Sequence, residues 1–386
     1  MVSRREFLKY LGVLAAGLAF GGVLGYSYGG IVGRKADRAR IRELEEEVSE
    51  LKEKLKILEL EKEVRVYNWS WYIDERLINL FEGATGCKVV YETFESTDEV
   101  WAKLSVPPCG YDVVVISSYV VAEAAERELI VPLNPELIPN TKFLYENFKN
   151  PIYDPELKWH RPYMWGTTGI AYDTTLVEDD VTGWHNLFDF DYFLPKYAKK
   201  ITMIPGSETV AITFKLWGAS LNDLSEENIR KAKELLIKQK PYLAKYADAT
   251  DYIPGLASKE FWVSMAWSGD AYVAKEENPD IRYVIPEEGT EIFVDCMVIP
   301  KGAPHPKAAH AWINFMLDPL VAAINSSTIC YANPVKASEK FISEKVKKDP
   351  GIYPPPEVMA KLEMFRPWSP EEREIMEEVW MEIEAA

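Results

Sequence analysis

Val64-Arg-Val-Tyr-Asn-Trp69, Asp74-Glu-Arg-Leu-Ile-Asn-Leu-Phe-Glu-Gly-Ala-Thr-Gly86 and Lys88-Val-Val-Tyr-Glu-Thr-Phe94 follow one another and decide the fold. The outer two are short and rich in β-branched and aromatic residues, so they read as strands. The middle one reads as an amphipathic helix, with Gly86 marking its end. Ser96-Thr-Asp-Glu99 has the spacing of a capping box before a helix through Leu104. Tyr111-Asp-Val-Val-Val-Ile116 is an apolar run suited to a strand buried on both faces of a parallel sheet. Strands separated by helices imply β-α-β units and a doubly wound α/β sheet. In such sheets ligands bind at the carboxyl ends of the strands, where Trp69 and Ser117 stand.

Downstream the alternation continues. Arg161-Pro-Tyr-Met-Trp-Gly-Thr-Thr-Gly169 leads into a further strand-like run. Ile201–Ile204 reads as a strand, Glu208–Gly218 and Glu226–Lys240 as helices, and Trp262–Ala266 and Ile292–Ile299 as strands. His305 to Pro319 reads as a helix closed by Asp-Pro, and Ser369–Glu384 as an acidic amphipathic helix.

The chain has 386 residues, 44 basic and 61 acidic side chains, and a formal charge of −17. Residues 1–62 carry 12 basic against 10 acidic groups, so the remaining 32 against 51 put a charge of −19 on residues 63–386. An acidic surface argues against binding a phosphate backbone and therefore against a nucleic-acid partner. It is compatible with a cationic ligand. No Walker, dinucleotide-binding or G-x-S-x-G motif occurs, no His or Cys spacing suits a metal, and neither cofactor nor catalytic residue is expected.

The first 33 residues read as an address. Ser3-Arg-Arg-Glu-Phe-Leu-Lys9 resembles a twin-arginine export signal, the alternative being an ordinary basic leader. Residues 10–33 are 24 uncharged residues, enough to cross a bilayer, for which about 20 helical residues suffice. A transmembrane anchor is expected, with a cleaved signal as the alternative. Gly17, Gly21, Gly25, Gly29 and Gly33 would line one helix face. They suit close helix packing as well as they suit a weakly apolar signal. Across residues 34–62, Ile41, Leu44, Val48, Leu51, Leu55 and Leu58 form an a/d seam. The seam implies a coiled-coil stalk and a homo-oligomer, or else a solitary solvated helix. The basic cluster Arg34 to Arg42 would by simple charge counting hold the stalk in the cytoplasm. A receptor-read export signal overrides that count.

Seven segments stand in the same order as motifs of a known family. They are Tyr67-Asn-Trp-Ser-Trp-Tyr72, Tyr91-Glu-Thr-Phe-Glu-Ser96, Tyr111 to Tyr119, Pro162 to Gly169, Ala266-Trp-Ser-Gly-Asp-Ala-Tyr-Val273, Phe293-Val-Asp295 and Cys330-Tyr-Ala-Asn-Pro334. Residues 64–386 thereby resemble the spermidine/putrescine-binding proteins of ABC importers. The resemblance implies an extracytoplasmic, two-lobed periplasmic-binding-protein fold of type II, here preceded by the transmembrane helix and stalk. It places lobe 1 at 64–165 and 293–335 and lobe 2 at 166–292 and 336–386. It implies a polyamine in the interlobe cleft and ABC permease subunits as partners.

The resemblance assigns aromatic and hydroxyl walls to Trp69, Tyr72, Tyr119, Trp267, Phe293 and Tyr331. Ser70 and Ser117 take small hydroxyl positions, and Glu208, Asp270 and Asp295 hold ammonium groups. Trp71, itself a candidate ligand-binding residue, stands where the family has an acid, and Pro205 where spermidine binders have an aspartate. These departures and the sequence Trp267-Ser-Gly-Asp270 favour a putrescine-like diamine over spermidine. Asp74 or Glu75 is a candidate replacement for the acid lost at Trp71. Another small solute on the same fold, such as thiamine, a metal or an anion, is an alternative. So is an anchored sensor ectodomain, and an acid/base pair of Glu208 and Asp295 has no motif to support it. An exported chain permits disulfides, with Cys87–Cys109 and Cys296–Cys330 the preferred pairing and four buried thiols the alternative.

Overall fold

Residues 60–386, apart from 96 and 152, are described by a computed structural model of the chain. The twin-arginine motif, the uncharged segment and the heptad seam up to residue 59 lie outside the described residues, as does Ser96 of the expected capping box. Among the described residues no helix is long and apolar enough to cross a membrane.

The opening segments fold as their patterns predict. Strand β1 (Glu63–Trp69) is followed by helix α1 (Arg76–Thr85) and strand β2 (Lys88–Phe94). Leu77 and Phe81 bury one face of α1, and Gly86, at φ +70°, ends the helix by donating its N–H to the Glu82 carbonyl at 2.8 Å. Helix α2 (Thr97–Leu104) leads to strand β3 (Val113–Ser117) and helix α3 (Ser118–Glu126). β1 pairs in parallel with both β2 and β3.

Two long strands then break the parallel pattern. β4 (His160–Asp173) is buried throughout, and β9 (Thr290–Val298) runs antiparallel to both β3 and β4. Residues 160–167 of β4 pair with β9, whereas residues 168–173 pair with β7 (Val263–Trp267) and β8 (Ile281–Val284). The β4–β9 register shifts between Pro162 and Met164, where proline lacks the N–H that a ladder needs. β5 (Ile201–Met203) lies parallel to β7 and to β6 (Leu243–Tyr246), giving the order β2-β1-β3-β9-β4-β7-β5-β6. Each end is thus a parallel α/β unit, and antiparallel crossing strands join the two. The sheet is mixed rather than purely doubly wound.

The remaining helices include α4 (Ser207–Ile212), α5 (Glu226–Gln239), α6 (Ala249–Ala257) and α7 (Ser268–Glu277). Asp318-Pro319 both ends one helix and begins another. α8 (Pro306–Met316) stops before it, and Asp318 then caps α9 (Pro319–Ile329) by accepting from the Leu320 and Val321 N–H groups. Cys330, at φ +56°, ends α9 and turns the chain toward Tyr331. The C-terminal helix α10 (Pro370–Ala385) opens with a capping box between Ser369 and Glu372 and packs on α4 and α5.

The expected disulfides are not formed, and all four cysteines are free thiols. Cys87 belongs to the apolar core around Leu77 and Phe81, whereas Cys109 packs against the other core. Cys296 Sγ lies 3.9 Å from the Tyr153 hydroxyl inside the sheet, and Cys330 lines a separate cavity beside Tyr272. Burial pushes the Cys87 and Cys330 thiols up to about 11, which suppresses the thiolate.

Candidate ligand-binding cleft

β1 and β3 of one α/β unit end at Trp69 and Ser117, and β7 of the other ends at Trp267, so the carboxyl edges of both units deliver side chains to one region. The crossing strand β9 adds a third wall. Side chains alternate along a strand, so Glu291, Phe293 and Asp295 share one face of β9. Tyr331, delivered by the left-handed turn at Cys330, completes the set.

Two glycines admit the rings. A Cβ at Gly269 would lie 2.0 Å from the Tyr331 ring, and one at Gly166 would lie 2.7 Å from Phe293 Cζ. The rings then pack edge to face: Tyr72 and Tyr331 have centroids 4.8 Å apart at 87°, and Phe293 and Tyr331 are 6.1 Å apart at 63°. Trp69 and Trp267, from different α/β units, stand 6.3 Å apart at 61°.

Carboxylates are set among these rings, each held by hydroxyls. Asp295, 5% exposed, accepts from the Tyr72 hydroxyl at 2.7 Å and the Ser117 hydroxyl at 3.1 Å. Asp270, 7% exposed, accepts from Tyr252 at 2.5 Å and Tyr331 at 2.7 Å. Burial pushes both aspartates up to about 6, against the opposing pull of these hydroxyls. The buried Trp69 indole N–H has no hydrogen-bond acceptor among the described residues. Glu208, in the first turn of α4, accepts from Tyr119 at 2.6 Å. Among the described residues no Lys, Arg or His pairs with Asp270, Asp295 or Glu208. Unpaired charge of this kind is expensive inside a protein unless a cation joins it.

The structure brings together Trp69, Tyr72, Ser117, Tyr119, Glu208, Trp267, Asp270, Phe293, Asp295 and Tyr331. Ser70 instead donates to Glu95 at 2.5 Å, on the loop after β2. Trp71 sits in the turn after β1 at φ +58° and is 67% exposed, apart from the ring cluster. The left-handed backbone at Trp71 turns its side chain outward while Tyr72 is buried. Asp74 does not replace the lost acid, because Arg76 and Thr328 occupy its carboxylate, and Glu75 is exposed.

Four further residues bear on the site without being assigned to it from the sequence, although Glu95 and Tyr163 lie inside the quoted motifs. Tyr252 lies on α6, a helix whose internal Pro254 hides its pattern. Tyr163 donates to the Tyr72 carbonyl at 2.6 Å and accepts from Asn325, which holds the turn in place. Glu95 acts on Asp270 electrostatically. Glu291, 6% exposed, accepts from the Thr168 hydroxyl at 2.8 Å, and burial pushes it up to about 8. Its signal was present in the sequence, two positions before Phe293 on the same strand face.

Comparison with known proteins agrees with this architecture. Residues 76–354 match the model of the bacterial extracellular solute-binding protein family. The chain is 32% identical over 314 residues to a putrescine/agmatine-binding protein of Pseudomonas aeruginosa, covering 78% of this chain and 85% of that protein. It is 29% identical over 341 residues to a putrescine-binding periplasmic protein of Escherichia coli, covering 84% and 92%. A crystal structure of a spermidine/putrescine ABC transporter substrate-binding protein from Streptococcus pneumoniae superposes with a TM-score of 0.74 at 28% identity, over 84% of this chain and 99% of that one. With its motifs, its two joined α/β units and its family match in agreement, the chain belongs to the bacterial extracellular solute-binding proteins.

Proposed function

We propose that the protein is the polyamine receptor of an ABC importer and that it takes a short linear diamine of the putrescine class. The observation that carries this reading is the pair of buried aspartates, Asp270 and Asp295, bonded only to hydroxyls and walled by Trp69, Trp267, Phe293 and Tyr331. Ammonium groups would take the carboxylates through charge-assisted hydrogen bonds, and the rings would cover the methylenes. The names of the relatives support the same ligand class. The protein performs no chemistry. Its functional event is hinge closure through β4 and β9, with lobes divided near 165, 293 and 335, and the closed form is what the permease receives.

The same proposal includes export by the twin-arginine route, a membrane anchor over residues 1–33 and a self-associating stalk over 34–62. Their support is the Arg4-Arg5 motif, the uncharged run and the heptad seam. Crosslinking of the detergent-extracted chain tests the stalk, and a strict monomer removes it. The ligand is tested by calorimetry with putrescine, cadaverine, agmatine, spermidine and quaternary amines. Saturable binding of a short diamine is expected. Silence from every amine would overturn the ligand and leave the fold intact.

A further inference from the structure

Glu291 stands apart from the carboxylates that the motifs single out. It is 6% exposed, and among the described residues its carboxyl group accepts only from the neutral Thr168 hydroxyl. It lies four residues before Asp295 on an unbroken stretch of β9, with Phe293 between them on the same face. At about 3.3 Å per residue the two carboxylates are anchored roughly 13 Å apart along the strand. Their neighbours divide the same way. Asp295 shares its end of the cleft with Tyr72, whose ring meets Tyr331 and through it Asp270. Glu291 lies within electrostatic reach of Glu208 and of Tyr119, which donates to Glu208. The cleft therefore has two acidic poles with an aromatic ring between them.

We infer that Glu291 holds the second cationic end of the ligand together with Glu208, and that the spacing from Glu291 to Asp295 selects a short dication. This rests on the amine-binding reading above. An ammonium group approaches each carboxylate to about 2.8 Å. Of the roughly 13 Å between anchors, about 7 Å then remains between the two nitrogens. That span fits a short diamine and is too small for a triamine laid straight.

The groups facing Glu291 are Glu208 from α4, Tyr119 from α3, Tyr283 from β8 and Thr168 from β4, with Asp295 further along β9. Glu363, paired with it in register on β10 (Leu362–Glu363), is already bound to Lys215. Burial opposes its ionisation, and so do Glu208 and Asp295, so near pH 7 the ligand-free protein carries Glu291 as the acid. When an ammonium arrives, the carboxyl O–H gives its proton to the buffer and the carboxylate pairs with the cation. Binding is thereby coupled to release of about one proton at pH 7.

Calorimetry of the full chain with putrescine at pH 7, in phosphate and in HEPES, reads that proton directly. About one proton released is expected from the parent. Glu291→Gln keeps an oxygen to accept from Thr168. It should bind putrescine at least about tenfold more weakly, bind n-butylamine with little change, and release only a small fraction of a proton. A variant that binds putrescine as the parent does, or a parent that binds it without releasing a proton, overturns the inference and leaves the amine reading standing. Should Glu291→Gln not fold, the parent's proton count decides alone. A parent that binds no amine overturns both.

Discussion

Asp295→Asn should move stability and affinity in opposite directions. In the ligand-free protein the Asp295 carboxyl is buried with only hydroxyl partners, and its proton affinity stands at about 6 against an ordinary 3.8. A carboxyl raised in the folded state contributes stability while it is protonated and loses it as the pH rises through about 6. At pH 7 the buried charge then costs roughly 3 kcal/mol, and at pH 5 about half of that. Asparagine removes the charge and still satisfies its neighbours, accepting from Tyr72 and donating to Ser117. The ligand-free variant should therefore melt higher than the parent at pH 7, with a smaller gain at pH 5. Putrescine binding should weaken by about 10- to 150-fold, the equivalent of about 1.5–3 kcal/mol for a hydrogen bond to a charged group. Thermal melts at the two pH values and calorimetry at pH 7 test both halves. An equal loss of stability at both pH values would refute the buried-charge argument. Undiminished affinity would remove Asp295 from the site.

Three further outcomes follow from the same geometry. Gly269→Ala drives a methyl group into the Tyr331 ring and should cost about 1–3 kcal/mol in a denaturant melt. It should also weaken putrescine binding by displacing the hydroxyl that holds Asp270, and a variant of parental affinity would show Tyr331 to be dispensable. Trp267→Ala removes a cation–π wall worth about 0.5–2 kcal/mol, so putrescine affinity measured by calorimetry should fall about 2- to 30-fold. Thiol titration of unreduced protein in denaturant should find four reactive groups, while the native protein reacts slowly because burial raises its thiols; a count of zero would restore the disulfides.

Much of the fold was legible because local pattern and tertiary role coincide in the α/β units. Tyr111 to Ile116 is apolar because its strand is covered on both faces, and Gly86 follows α1 because the turn needs a positive φ. The crossing strands were harder to read. β4 is buried over all its residues, so it shows no alternation, and nothing local reveals that it changes partners at Thr168. Helix α9 was hidden because Asp318-Pro319 reads equally as a stop and as a start, and only its packing shows that both apply. Trp71 is a ligand candidate by its place beside Tyr72 in the sequence, yet the left-handed turn leaves it exposed.

The α/β class, the acidity of residues 63–386 and the residue types suited to an amine are legible along the chain, since hydrophobic period, charge and motif order are local properties. Which carboxylates share an environment emerges only on folding. Asp270 and Asp295 become neighbours through Tyr331 and Tyr72, and Glu291 faces Glu208 across more than eighty residues of chain. A buried charge is defined by its surroundings, and those surroundings are assembled by β4 and β9 crossing between the two units.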